Sequence, residues 1–132
     1  MVNGVNSIKG EEKIMKKTGV VRDKRFMDHE TGPGHPENAT RLEVIYDMLA
    51  GSDMVDRFVE VPVREAMAEE LHEIHSPEYV DMVAGTRGQA YRSLDPDTST
   101  SAGSYDAAIL AAGGLCQAIS MVLSGDLDNA FA

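Results

Sequence analysis

Apolar residues along the chain fall into short blocks with two distinct periods. Thr18-Gly19-Val20-Val21 is brief and β-branched and predicts a first strand. Phe58-Val59-Glu60-Val61-Pro62-Val63 alternates with period two and predicts a second, which Pro62 confines to an edge or to the strand's end. Between them Leu42, Ile45, Tyr46 and Leu49 recur at i, i+3, i+4 and i+7, one apolar face of a helix from about Pro36 to Ala50 that Gly51 can close. A helix near Glu65 to Ile74 follows. Ser76-Pro77-Glu78 then supplies a capping hydroxyl, a first-turn proline and an acid at the positive end of the helix dipole, which predicts a short helix ending near Gly85. Thr86 to Ser104 reads as a polar loop around Asp95-Pro96-Asp97. From about Tyr105 to Ser124 the chain is apolar on most of a helical circumference, with Gly125 as the stop. Asn129 to Ala132 begins a third strand.

The order β, α, β, α, α, α predicts an α/β protein with a partly parallel sheet. The inventory is small for a finished domain, because a helix as apolar as Ala107 to Leu123 needs cover on both sides and two short strands offer little. Gly113-Gly114 within it points to close packing of the helix against its neighbours. Thr31-Gly32-Pro33-Gly34, between His29 and His35, is a cluster that only a loop accommodates well.

At 132 residues the length suits one domain able to bury roughly 65 to 70% of its unfolded surface. Hydrophobic residues at 42% and charged residues at 26% argue against wholesale disorder. Charge is unevenly placed: the first 25 residues hold seven cations and three acids, while the rest hold five arginines, nineteen acids and no lysine. Residues 1–17 therefore read as a flexible basic leader without the apolar run of an export signal, residues 18–132 as the folded part, and the location as cytoplasmic. The acidic body disfavours direct binding of nucleic acid or anionic membrane and is compatible with cationic substrates. The apolar stretch, interrupted by Gly113-Gly114, Gln117 and Ser120, reads as a core helix rather than a membrane span. Cys116, the single cysteine, excludes an internal disulfide and reads as a small buried hydrophobe.

Four histidines among many acids invite a metal hypothesis, but their spacing does not favour it. His72-Glu73-Ile74-His75 places two histidines three apart, where the metalloprotease motif needs four. No Gly-x-Ser-x-Gly elbow, phosphate-binding glycine loop or Cys-x-x-Cys pair occurs.

One ordered series carries more information. His35-Pro36-Glu37 with Arg41-Leu42, then His75-Ser76-Pro77-Glu78-Tyr79, then Leu94-Asp95-Pro96-Asp97-Thr98 resembles the opening third of the zinc-dependent deacetylases: histone deacetylases, acetylpolyamine amidohydrolases and bacterial acetoin-utilisation proteins. The resemblance implies the amino-terminal part of an arginase/deacetylase-type three-layer fold with a mainly parallel sheet, incomplete here. It implies an amide hydrolase of acetyl-lysine or acetylpolyamines, with zinc in the complete enzyme. The zinc ligands and catalytic histidines of the family are expected beyond Ala132, so no catalytic or metal residue is assigned and the chain alone is expected to be inactive.

Two substrate-binding residues are implied. Asp97 matches an aspartate that reaches the rim of the substrate channel and accepts hydrogen bonds from the backbone of the acetylated residue; a carboxylate suits this because it can hold two N–H donors at once. Its alternative is a turn or cap residue, although Asp95, followed by Pro96, better fits the turn former. Arg41 matches an arginine lining a cavity beneath the acyl pocket, its alternative being a surface pair with Glu37. The series usually carries a second proline where Ala39 stands. Two other functions remain open: a non-catalytic binding module docking through its exposed apolar helix to a full-length relative or another partner, and a metal or polyamine binder built from its histidines and acids.

Overall fold

The computed structural model describes residues 16–132. Most of the basic leader inferred above lies outside the described residues. Three short strands, β1 (Thr18–Val20), β2 (Val59–Glu60) and β5 (Asn129–Phe131), form one sheet in the order β2-β1-β5, with both pairings parallel. Gly19 sits opposite Val59 on one side and Ala130 on the other. The ladder extends past the strand ends, with Val61 N–H donating to Val20 O at 3.0 Å and Val21 N–H to Phe131 O at 2.9 Å. Parallel neighbours need crossover connections. Helix α1 (Thr40–Ala50) lies in the first crossover; α2 (Ala68–His72), α3 (Pro77–Ala84), the hairpin β3 (Arg92–Ser93) with β4 (Ser99–Thr100), and α4 (Ser104–Leu123) lie in the second. The chain is thus α/β with a parallel sheet of three strands, as its patterning predicts, and is consistent with the incomplete arginase/deacetylase-type fold that the resemblance implies.

Three elements differ from the sequence expectation. Helix α1 starts at Thr40 rather than Pro36, because residues 35–38 are tied into a turn of their own. Asn38 Oδ1 accepts from Thr40 N–H at 3.1 Å, its Nδ2 donates to His35 O at 2.9 Å, and Glu37 N–H donates to His35 Nδ1 at 3.1 Å. This local side-chain bonding competes with helix. The helix expected over Glu65–Ile74 shrinks to α2, one turn, held at its start by Glu70 accepting from Met67 N–H at 2.8 Å. The expected polar loop before α4 contains the β3–β4 hairpin, paired through Arg92–Thr100 and Ser93–Ser99.

Helix α4 covers the sheet and also receives the chain segment that follows β2. A Cβ at Gly113 would lie 2.2 Å from Arg64 O and 2.5 Å from Ala66 N, so only glycine lets residues 64–66 run across the helix there. In that position Ala66 N–H donates to Ile109 O at 2.9 Å. At Gly114 an added Cβ would meet Val21 Cγ1 at 2.7 Å. The paired glycines are a docking notch, as the sequence suggests. Val61, Ala118 and Leu127 form the buried centre, with Val21, Met121 and Val122 against them.

That core is one-sided. Leu115, Ile119 and Leu123, spaced one turn apart on α4, are about half to four-fifths exposed (47%, 49% and 82%), and Phe131 at the free edge of β5 is 68% exposed. Helix α4 is 20 residues long and, by length and composition, apolar enough to cross a membrane. It buries Ala107, Ile109, Leu110, Gly113, Gly114 and Ala118, and about a third of its most apolar window is covered by the rest of the described residues. Cys116 is half-buried, not fully covered.

Candidate functional site

Two of the motif segments, far apart in sequence, meet at one cavity. A recess of about 690 Å³ is walled on one side by Thr31, His35, Pro36 and Glu37 and on the other by Tyr91, Ser93 and the Asp95–Ser99 turn. The turn joining β3 to β4 is built by Asp95. Its carboxylate accepts from Asp97 N–H at 2.9 Å and from the Thr98 hydroxyl at 3.0 Å, and Leu94 N–H closes onto Thr98 O at 2.9 Å. These donors, the Asp97 N–H first and the Thr98 hydroxyl second, hold the Asp95 carboxyl below the usual carboxylate range. Asp95 is therefore committed to the loop.

Asp97 is exposed on the recess wall, and its own carboxylate accepts no hydrogen bond from the described residues. The structure thus separates the two acids by geometry: one side chain makes the turn, and the next is presented by it with all its acceptor capacity free. Glu37, exposed on the facing wall, contributes a backbone carbonyl that accepts from the Thr31 hydroxyl. Glu37 and Asp95 join Asp97 as acids around the recess, and no lysine or arginine among the described residues lines it.

Arg41 lies elsewhere. It is exposed near the start of α1 and lines a separate recess of about 320 Å³ with Phe26, His29, Glu37, Asn38, Ala39, Leu42 and Ile45. No ion pair with Glu37 forms among the described residues, so the surface pairing considered for Arg41 is not adopted. Glu37 borders both recesses and is the residue through which the two predicted sites adjoin.

Three of the four histidines have side-chain partners or contacts. His75 packs its ring against Tyr79, centroids 5.1 Å apart, next to a start of α3 where Ser76 Oγ accepts from Tyr79 N–H at 3.3 Å. His35 Nδ1 faces the Glu37 backbone. His29 Nδ1 lies 2.7 Å from Ser104 Oγ. Among the described residues no three His, Cys, Asp or Glu side chains converge as metal ligands. The residues present do not fit a zinc centre, and no chemical step through a metal is assigned to them.

Sequence reasoning missed the buried hydroxyl pair at the start of α4. Ser101 Oγ donates to Asp28 O at 3.1 Å and accepts from Glu30 N–H at 3.0 Å, while Ser104 Oγ accepts from Ser101 N–H at 2.7 Å. The available signal was two serines three apart where the expected polar loop meets the long apolar helical run.

Comparison with known proteins bears on the same segments. Residues 35–132 match the histone deacetylase domain family. The probable deacetylase of Archaeoglobus fulgidus is 34% identical over 117 residues, covering 87% of this chain and 32% of that protein. Histone deacetylase clr3 of Schizosaccharomyces pombe is 30% identical over 135 residues, covering 90% and 20% respectively. The acetoin utilization protein AcuC of Bacillus subtilis is 34% identical over 108 residues, covering 76% and 27%. Among solved structures, the HDA15 HD domain superposes with a TM-score of 0.82 at 31% identity, over 88% of this chain and 34% of that one. The chain spans about a third or less of the length of these relatives. The match runs from the His35-Pro36-Glu37 turn through the β3–β4 hairpin to β5, and on that ground this chain belongs to the histone deacetylase family.

Proposed function

We propose that this chain is the amino-terminal portion of a zinc-dependent deacetylase that hydrolyses acetyl-lysine side chains or acetylated polyamines, and that it furnishes the rim of the substrate channel. The observation that carries this reading is the 690 Å³ recess, in which the His35–Glu37 turn faces a free carboxylate presented by the Asp95 turn. Asp97 is the rim residue: it is fixed through its backbone while its side chain remains open to accept N–H donors from a substrate. Charge-assisted hydrogen bonds of this kind are short and about twice as strong as neutral ones, so they orient an amide well. Arg41 borders the adjoining recess and is the wall residue on the acyl side. The acids around the channel mouth suit substrates that carry positive charge beside the acetylated amine.

Among the described residues no three His, Cys, Asp or Glu side chains converge as metal ligands, and on this reading the hydrolytic centre comes from the remainder of the enzyme. The test is therefore reconstitution. This chain is co-expressed with the carboxy-terminal two thirds of the Archaeoglobus fulgidus relative, and the product is assayed with zinc on an acetyl-lysine peptide and on an acetylated diamine. Activity of the pair, absent from either part and reduced by Asp97→Ala, is the expected result. A stable pair that turns over neither substrate would overturn the proposal.

The second reading, a binding module, is favoured by one observation. The exposed ridge of Leu115, Ile119 and Leu123 on α4 adjoins an open strand edge at β5. Such a surface pairs readily with another chain. Stable binding to an intact deacetylase domain without gain of activity would support it over the first reading.

A further inference from the structure

We propose that His29 is a positioning residue that sets the distance between the two walls of the candidate channel; this rests on the deacetylase reading for its catalytic consequence, and on geometry alone for its structural one. His29 follows the 3-10 helix Lys24–Asp28 and lies directly before the turn leading to His35. It lines two recesses at once. One, of about 320 Å³, it shares with Arg41 and Glu37; the other, of about 280 Å³, it shares with Thr98, Ser99 and Thr100 of the opposite hairpin. The half-buried imidazole therefore stands between the turn that carries Glu37 and the strand that carries the Asp97 turn.

Its bond explains how it fixes both. Ser104 Oγ, buried at the first residue of α4, lies 2.7 Å from His29 Nδ1 and accepts from Ser101 N–H at 2.7 Å. Ser101 follows β4 directly, and its own hydroxyl reaches back to Asp28 O and Glu30 N–H on either side of His29. Gly103 completes the closure: a Cβ there would come within 2.7 Å of both Cβ and O of Asp28, so the backbones of residues 28 and 103 touch. Residues 28–30 and 101–104 are thus clamped by one ring, two hydroxyls and a glycine contact.

The clamp tolerates either charge state of the imidazole. Neutral His29 accepts at Nδ1 from the Ser104 hydroxyl. Protonated His29 donates from Nδ1, and the Ser104 proton turns to Ser101 Oγ, 3.1 Å away. The role is therefore steric and directional, and it requires a side chain that can accept or donate at the Nδ1 position. Asparagine places an amide there; alanine does not.

The test combines amide hydrogen exchange with kinetics. On this chain, His29→Ala and Ser104→Ala are expected to speed exchange of Leu94, Asp97 and the β3–β4 amides by about fivefold to tenfold, the factor that loss of one hydrogen bond gives. Exchange at Val21 and Val61 in the sheet stays unchanged, and His29→Asn restores the hairpin amides. In the reconstituted pair, His29→Ala raises KM for an acetyl-lysine peptide by about tenfold while kcat changes less than about threefold, the split expected of lost substrate positioning. Exchange effects confined to residues 28–31, or equal effects on hairpin and sheet, or no rescue by asparagine, would overturn the proposal. A pair without deacetylase activity, in which the hairpin still loosens and is rescued as described, would remove the deacetylase reading and leave the clamp standing.

Discussion

Gly113→Ala offers a test in which local preference and packing predict opposite signs. In an isolated helix, alanine is favoured over glycine by about 1 kcal/mol. Here the new methyl would stand 2.2 Å from Arg64 O, 2.5 Å from Ala66 N and 2.5 Å from the Glu65 carbonyl carbon. All three are backbone atoms, so no side-chain rotation relieves the clash and residues 64–66 must lift from α4. Overpacking of this kind costs about 1–3 kcal/mol. Lifting also breaks the Ala66 N–H to Ile109 O bond, at about 0.5–1.5 kcal/mol. Against the propensity gain, the net expectation is a loss of about 0.5–3.5 kcal/mol. Urea unfolding followed by far-ultraviolet circular dichroism measures it, with Ala111→Gly on the exposed side of the same helix as a scale. That control loses about 1 kcal/mol through propensity alone. Both exchanges lowering the midpoint at unchanged slope would fit the notch. A Gly113→Ala protein as stable as the parent, or more stable, would refute the packing argument.

Asp97→Ala in the reconstituted pair is expected to lower kcat/KM by roughly tenfold to a hundredfold, the loss of one to two charge-assisted bonds, while thermal stability stays put because its carboxylate bonds nothing among the described residues. Unaltered kcat/KM would remove Asp97 from the rim. Glu70 receives two hydrogen bonds from Arg64 and one from Met67 N–H, which hold its carboxyl down to about 2. Since its folded value lies below the unfolded one, its stabilising effect is complete above the ordinary glutamate range and is lost as pH falls toward 2. Melting followed against pH is expected to show a shallower decline over that window for Glu70→Gln than for the parent; parallel curves would deny the coupling. Leu123→Gln, at a side chain 82% exposed, is expected to reduce binding of an apolar dye without lowering the melting temperature. A clear drop in stability would mean that Leu123 is covered by this chain.

How much was readable in the sequence depended on where the determining contacts lie. Helices α1, α3 and α4 were legible because periodicity and caps are local: Ser76 bonds its own third residue onward, and Leu49 falls on the apolar face that the spacing predicts. The close approach at Gly113-Gly114 was legible too, since two glycines inside a helix lose propensity without a local gain. The β3–β4 hairpin was not. Its paired residues, Arg92, Ser93, Ser99 and Thr100, have no apolar alternation, and only β4 is partly buried. The strand pairings were legible in kind but not in partner, because Thr18 and Asn129 are brought together only by the intervening helices.

The candidate site divides along the same line. Asp95 was identifiable as a turn former from its neighbour Pro96, and Asp97 as a candidate rim residue only through a motif resemblance; neither showed that the turn faces His35-Pro36-Glu37 across a recess. That juxtaposition depends on contacts between residues 28–30 and 101–104, more than 70 positions apart in sequence. Motif matching is blind to them, because serine beside glycine before a helix reads as ordinary capping. Yet those contacts determine whether two recognisable segments form one channel wall to wall or two unrelated loops. A family signature can therefore name the groups that meet a substrate while the groups that set their spacing remain hidden in residues of the least distinctive types.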